Sequence, residues 1–109
     1  MNSQAAIIFT TCPELKVANR IAAALVQQKL AACVQTAPIN STYYWQGSLQ
    51  KTSEIQLSIK TKAALFHAAS TCIRMLHPYE NPEILSVPII AGSLEYLKWI
   101  QEATLEAMP

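Results

Sequence analysis

The sequence has little charge and carries it without a pattern. All seven acidic residues are glutamates, aspartate is absent, and eight Lys and Arg residues are scattered along a chain of net charge +1. Charged residues make up only 14% of the chain. No basic stripe or patch is available to hold a nucleic-acid backbone or an anionic membrane, so both classes of partner are excluded.

Long hydrophobic runs and a basic leader are also missing. No apolar stretch reaches the ~20 residues that a transmembrane helix needs, and Met1-Asn2-Ser3-Gln4 lacks the positive charges of a signal peptide. These absences predict a cytoplasmic protein. The three cysteines, Cys12, Cys33 and Cys72, are odd in number and widely spaced, which is unlike a disulfide framework and indicates small core or strand residues.

Apolar side chains are abundant instead. The chain has 109 residues, of which 51% are hydrophobic. This length fits one domain covering residues 1–109. A small chain with so few charges is typical of a subunit that loses much of its surface to an oligomer.

The segment from Ala31 to Lys62 predicts a long β-hairpin. Gln46-Gly47 supplies the positive-φ turn, and the arms that flank it are rich in aromatic and β-branched residues. From Glu54 onward the return arm alternates, with apolar residues at 55, 57 and 59 and polar residues between them. Arms of about a dozen residues would reach roughly 40 Å at ~3.3 Å per residue.

The tip of this hairpin carries the aromatic cluster Tyr43, Tyr44 and Trp45. A domain of this size cannot reach so far with its own helices. We therefore expect identical subunits to cover the three rings, which makes them candidate inter-subunit interface residues.

The other segments surround the hairpin. Residues 5–11 form a short apolar run that predicts a strand buried on both faces. Pro13 suits the first turn of an amphipathic helix, which should end near Lys29 or Leu30. The first hairpin arm contains Pro38 and is therefore an edge strand or is bulged there, because proline cannot donate to a ladder.

The second half of the chain also consists of predicted helices and a strand. Apolar spacing predicts a helix over residues 63–76, a strand over 84–90, and a last helix with Ser93 as its N-cap. The order strand, helix, strand, strand, helix, strand specifies an α+β fold. It is the ferredoxin-like βαββαβ sandwich, with an antiparallel sheet, a long hairpin and an extra C-terminal helix.

This fold hosts several functions, and the residues exclude three of them. A copper chaperone needs a Cys-x-x-Cys pair after the first strand, and only Cys12 is present there. No aromatic platform for RNA lies on the return arm. No arginine lies between Thr10 and Glu14 to form the anion cradle of an acylphosphatase. Neighbouring residues form no pair of nucleophile and base, which predicts that the protein is not an enzyme.

Five segments of the chain form a pattern in order and spacing. They are Thr10-Thr11-Cys12-Pro13, Lys29-Leu30-Ala31-Ala32-Cys33-Val34, Tyr43-Tyr44-Trp45-Gln46-Gly47, His77-Pro78-Tyr79-Glu80-Asn81-Pro82-Glu83-Ile84 and Tyr96-Leu97-Lys98-Trp99-Ile100. Together they resemble the CutA family of divalent-cation tolerance proteins, and the resemblance extends from about Ala6 to Gln101. It implies a ferredoxin-like subunit in a tight homotrimer, a role in tolerance to copper and other divalent cations, and no catalysis.

The resemblance also implies where a metal would bind. Family members implicated in copper binding have a cysteine near the end of the first strand and two adjacent histidines before Pro-Tyr. These positions fall on Thr10, Leu76 and His77, so one of the three ligands is kept. Cys12 lies two positions beyond Thr10 and Glu83 follows His77, and His77, Cys12 and Glu83 are the candidate metal ligands.

Each of these residues has a structural alternative. His77 can cap the last carbonyls of the preceding helix, and Glu83 can be a charge at a strand end. Tyr79 and Trp45 can line a cleft between subunits, or simply pack at an oligomer interface.

Three hypotheses therefore stand for the function. The first is a CutA-type homotrimer that binds copper or another divalent cation. The second is a trimeric sensor of small anionic effectors similar to the PII proteins, although the chain has only Gly47 and Gly92 for a phosphate cradle. The third is a trimeric interaction scaffold whose hairpin docks another protein.

Overall fold

The computed structural model describes residues 4–106. Within these residues, four strands and three α-helices follow one another. They are β1 (Ala5–Cys12), α1 (Leu15–Gln27), β2 (Cys33–Trp45), β3 (Ser48–Lys62), a 3₁₀ turn (Ala63–Leu65), α2 (Phe66–Leu76), β4 (Ile84–Pro88) and α3 (Leu94–Ala103).

The four strands form one antiparallel sheet in the order β2-β3-β1-β4. Each crossover between non-adjacent strands passes through a helix, as the split βαβ plan requires. The predicted α+β fold with an added C-terminal helix is confirmed. No helix within residues 4–106 is long and apolar enough to cross a bilayer.

The hydrophobic core lies between one face of the sheet and helices α1 and α2. Alternation places the fully buried Ile8, Leu57 and Ile59 on this face. Helical spacing directs the apolar residues of α1 and α2 toward them, because residues three and four apart share a side of a helix. The buried helical residues are Ala18, Ile21, Leu25, Ala69, Cys72 and Ile73.

The hairpin extends beyond the rest of the sheet. Its turn has positive φ at both Gln46 (50°) and Gly47 (80°), the geometry of a tight two-residue hairpin loop. The ladder between β1 and β3 ends at the pair Cys12 and Ile55, whereas β2 and β3 remain paired as far as Trp45 and Ser48. Residues 39–54 therefore form a two-stranded ribbon, and the molecule is 48 Å long but only 26 and 23 Å across.

Two alternatives left open at Pro38 are now resolved. β2 is an edge strand, and its register with β3 runs without interruption through the pair Pro38 and Ile55. No bulge is present. An edge strand accommodates a proline because one side of its backbone has no ladder to maintain.

Some element boundaries differ from the prediction. α1 ends at Gln27, because Lys29 adopts a φ of +58° and the N–H of Leu30 donates to the carbonyl of Leu25 at 2.9 Å. This is a Schellman ending, which periodicity does not reveal. The predicted second helix begins as a 3₁₀ turn, and β4 stops at Pro88.

Helix α3 is fixed mainly at its C-terminal end. The Ser93 hydroxyl accepts a hydrogen bond from the N–H of Tyr96 at 3.4 Å, which confirms the predicted N-cap. Ile100 is buried. The buried Lys62 ammonium donates to the carbonyls of Thr104 (3.4 Å) and Leu105 (2.8 Å), where the helix dipole is negative.

Candidate functional site

Cys12 and His77 meet at the base of the hairpin, although they are 65 positions apart along the chain. Cys12 is the last residue of β1, and His77 follows the last residue of α2. The Cys12 Sγ lies 3.8 Å from the His77 Nε2, and both residues are buried. The structure thus brings together two of the three candidate metal ligands.

Hydrogen bonds fix the protonation pattern of the His77 ring. Nε2 lies 2.7 Å from the carbonyl oxygen of Thr11, which only accepts, so Nε2 carries the proton. Nδ1 accepts from the N–H of Tyr79 at 3.1 Å. The capping alternative is therefore wrong, because the ring binds a carbonyl of β1 rather than the last carbonyls of α2.

Tyr79 connects this pair to a buried carboxylate. The Tyr79 hydroxyl donates to Oε2 of Glu54 at 3.2 Å, and the Tyr79 and His77 rings pack with centroids 4.8 Å apart. Glu54 is only 9% exposed. Glu54 is not among the site residues predicted from the sequence, because on an alternating strand it has the same polar pattern as Gln56 or Ser58.

The surroundings of Cys12 and Tyr79 disfavour the negatively charged forms of both side chains. Burial, assisted by the negative charge of Glu54, raises the pKa of the Cys12 thiol to about 11. Burial and the same carboxylate raise the pKa of Tyr79 to about 12. Cys12 is therefore a thiol at neutral pH, and a metal must displace its proton in order to bind sulfur.

Thr10 supplies a further polar group beside this pair. It lies two positions before Cys12 on the same face of β1, at the position where the family resemblance expects a cysteine. Thr10 is fully buried, and its hydroxyl has no hydrogen-bond partner among the described residues. A buried hydroxyl without a partner is a costly feature, and it marks a place where a ligand could supply one.

The remaining predicted site residues lie elsewhere. Glu83 is exposed and makes no hydrogen bond or ion pair with residues 4–106. In the same part of the chain, no group of three or more His, Cys, Asp or Glu residues is close enough to hold a metal ion. Trp45 lies at the tip of the hairpin and Tyr79 at its base, so a single chain does not join them in one cleft.

The tip residues are open to solvent in the single chain. Tyr44 is 75% and Trp45 63% exposed, and Tyr43 is also exposed. Their role at an interface between subunits stays a prediction.

The geometry allows one kind of chemistry in particular. A thiol and an imidazole in contact are the donor set that copper and zinc prefer. Both donors are engaged in the observed state, since the thiol holds its proton and Nε2–H donates to Thr11. Metal binding at Nε2 would therefore release the thiol proton, move the imidazole proton to Nδ1 and break both hydrogen bonds of the His77 ring.

Comparison with known proteins identifies the family of the chain. The family model described as CutA1 divalent ion tolerance protein matches residues 6–103. Human Protein CutA is 42% identical over 97 residues, which are 88% of this chain and 54% of the human protein. The divalent-cation tolerance protein CutA of Thermus thermophilus is 41% identical over 99 residues, which are 90% of this chain and 96% of that protein.

A solved structure extends the likeness to the fold. The crystal structure of CutA from Xylella fastidiosa has a TM-score of 0.89 and 48% identity, covering 93% of this chain and 98% of that one. The chain spans about half the length of the human and mouse relatives. The resemblance drawn from the five sequence segments is confirmed, since the match runs from the second residue of β1 to the end of α3. The chain belongs to the CutA family of divalent-cation tolerance proteins.

Proposed function

We propose that this protein is a non-catalytic, homotrimeric binder of divalent cations, with copper as the preferred ion and Cys12 and His77 as its ligands. The observation that carries the proposal is the 3.8 Å approach of the Cys12 sulfur to the His77 Nε2. The relative from Thermus thermophilus is named a divalent-cation tolerance protein, which supports the choice of ligand class.

The ligand set supports a weak or moderate site rather than a tight one. Sulfur and imidazole nitrogen supply two donors, whereas soft and borderline metals want more than two in a defined geometry. Glu83 is the proposed third ligand, because it belongs to the loop that carries His77, and it would have to move inward to bind. The partnerless hydroxyl of Thr10 is a further oxygen near the pair.

Proton release gives the proposed site a pH dependence. Since the thiol has a pKa of about 11, each bound metal ion displaces one proton from Cys12 at neutral pH. Copper affinity should therefore rise by close to tenfold per pH unit between pH 6 and 8.

Two exposed apolar surfaces support the trimer. The first is the hairpin tip with Tyr44 and Trp45. The second is the sheet face opposite the core, where Leu85 pairs with Phe9 and Val87 with Ile7. Leu85 is 56% and Val87 40% exposed, and apolar side chains left open side by side on one face are typical of an interaction surface.

The cysteines support a reducing compartment. Cys12, Cys33 and Cys72 are all free, and free thiols persist where the cell keeps them reduced. We therefore propose the cytoplasm as the location. The first three residues, on which the leader argument depends, lie outside the described part of the chain.

Calorimetric titration tests the function. Copper and zinc are titrated into the protein and into His77→Ala and Cys12→Ser, with His67→Ala and Cys33→Ser as matched controls at residues outside the pair. Each site variant should weaken copper binding at least tenfold, and the two controls should bind like the original protein. The same series is repeated with ATP.

Three results would contradict the proposal. Equal copper affinity in all five proteins would remove Cys12 and His77 from any metal site. Uptake of ATP without metal would favour the effector sensor instead. Absence of binding to copper, zinc and ATP would favour the interaction scaffold.

A further inference from the structure

The His77 ring stands between Cys12 and the base of the hairpin. Its Nε2 lies 3.8 Å from the Cys12 sulfur, and its Nδ1 accepts from the N–H of Tyr79 at 3.1 Å. The Tyr79 hydroxyl in turn donates to Oε2 of Glu54 at 3.2 Å. Two hydrogen bonds in series, both made by Tyr79, therefore connect the imidazole to a buried carboxylate on β3.

Glu54 lies where the hairpin leaves the sheet. The ladder between β1 and β3 ends at the pair Cys12 and Ile55, so Glu54 is the next residue toward the hairpin turn and has no partner on β1. Its carboxylate receives no other hydrogen bond from residues 4–106. The bond from Tyr79 consequently ties the ribbon to the segment that follows α2, and a buried carboxylate with a single donor resists the loss of that donor.

The imidazole cannot bind a metal at Nε2 and keep its hydrogen bond from Tyr79. A neutral ring carries one proton, which is on Nε2 in this structure because Nε2 donates to the Thr11 carbonyl. A ring that gives its Nε2 lone pair to a metal carries this proton on Nδ1 instead. Nδ1–H and the N–H of Tyr79, whose nitrogens lie 3.1 Å apart here, are then two donors facing each other, so the backbone at Tyr79 must move away.

We propose that Tyr79 and Glu54 regulate the metal site as positioning residues that do not touch the metal. Their hydrogen bond holds Tyr79 against His77 and thereby stabilises the form of the ring that carries its proton on Nε2. Binding requires Tyr79 to move, and the bond to Glu54 opposes that movement. Metal binding and the anchoring of the ribbon by Tyr79 therefore weaken each other, as thermodynamic linkage requires. This coupling depends on the metal site proposed at Cys12 and His77.

The first test follows the Tyr79 amide in the full chain. Copper(I), which is diamagnetic, is added in the absence of oxygen, and NMR measures binding, the position of the proton on the His77 ring and hydrogen exchange at Tyr79. On saturation the proton should move from Nε2 to Nδ1, and exchange at Tyr79 should become faster by about tenfold or more. The amide of Ile100, a buried residue of α3, is the reference and should not become faster.

A substitution then tests the sign of the coupling by calorimetric titration. Tyr79→Phe removes the bond to Glu54 but keeps the ring and the backbone N–H, so copper should bind more tightly by about threefold to tenfold. A residue that merely supports the shape of the site would weaken binding when it is altered. Tyr96→Phe removes a hydroxyl from an exposed tyrosine of α3 and should leave the affinity within about twofold.

The results distinguish a failure of the coupling from a failure of the metal site. Copper binding with an unchanged exchange rate at Tyr79 would overturn the coupling alone, as would unchanged or weaker binding in a folded Tyr79→Phe. Absence of copper binding in the original chain would overturn both. If Tyr79→Phe does not fold, the ring proton of His77 and the Tyr79 amide in the original chain decide.

Discussion

The two ends of the hairpin invert the usual distribution of polar and apolar residues. At the base, Glu54 and His77 are buried, with exposed fractions of 9% and 8%. At the tip, Tyr44 and Trp45 are 75% and 63% exposed. Ionisable groups normally face water, and large rings normally leave it.

The difference lies in where each end finds its partners. His77 satisfies both ring nitrogens within its own chain, through Thr11 and Tyr79, and Tyr79 in turn binds Glu54. The tip rings have no such cover in one chain. The base can therefore form in a single folded subunit, whereas the tip rings stay exposed there, and this contrast is the reason that we propose the trimer.

Trp45→Glu should have the largest effect, on assembly. It removes a large apolar contact and places a charge where a neighbour would exclude water, so the trimer should dissociate into monomers or aggregate. Sedimentation velocity at micromolar concentration measures the change in mass. Asn19→Glu, on the exposed side of α1, is the control, and an unchanged trimer in Trp45→Glu would show that the tip is not an interface.

His77→Ala should destabilise the base within one chain. The variant leaves the Thr11 carbonyl and the Tyr79 N–H without these partners and opens a small cavity, which costs about 3 kcal/mol. Urea unfolding measures the free energy. His67→Ala, on the exposed side of α2, should cost under about 0.5 kcal/mol, and equal effects of the two variants would refute the bridging role of His77.

Alkaline pH should weaken the base through Cys12. The pKa of the thiol rises from 9.0 to about 11 on folding, so between these values the unfolded chain releases a proton that the native chain retains. Stability then falls as pH rises from 9 to 11, by about 2 kcal/mol. Urea unfolding across this range should give a smaller slope for Cys12→Ser than for Cys33→Ser, and identical slopes would contradict the assignment.

Gly47→Ala should have the smallest effect, confined to the tip. A Cβ at this position meets no atom within 4 Å, so the cost comes only from the φ of +80° and should be about 1 kcal/mol. Thermal unfolding measures it, with Ser48→Ala as the neighbouring control. A cost above that of His77→Ala would mean that the tip, rather than the base, limits the stability of the chain.

Local signals in the sequence predicted most of the fold. The Gln46-Gly47 turn, the Ser93 cap and the edge position of the strand with Pro38 each follow from the chemistry of one or two residues. The contacts at the base of the hairpin could not be predicted from local residues. The burial of Glu54 and the bond from His77 to Thr11 depend on how the loop after α2 packs against the end of β1, and no periodicity encodes a contact between residues 66 positions apart.

The contacts of Lys62 predict which end of helix α3 unfolds first. Its ammonium holds the carbonyls after α3, and the N–H of Leu105 donates to the carbonyl of Lys29 at 2.9 Å, while Leu94 in the first turn is 84% exposed. Amide hydrogen exchange should consequently be fast near Leu97 and slow near Ile100. We therefore expect α3 to open from its beginning toward its end, because the contacts of Lys62 hold the residues that follow its last turn.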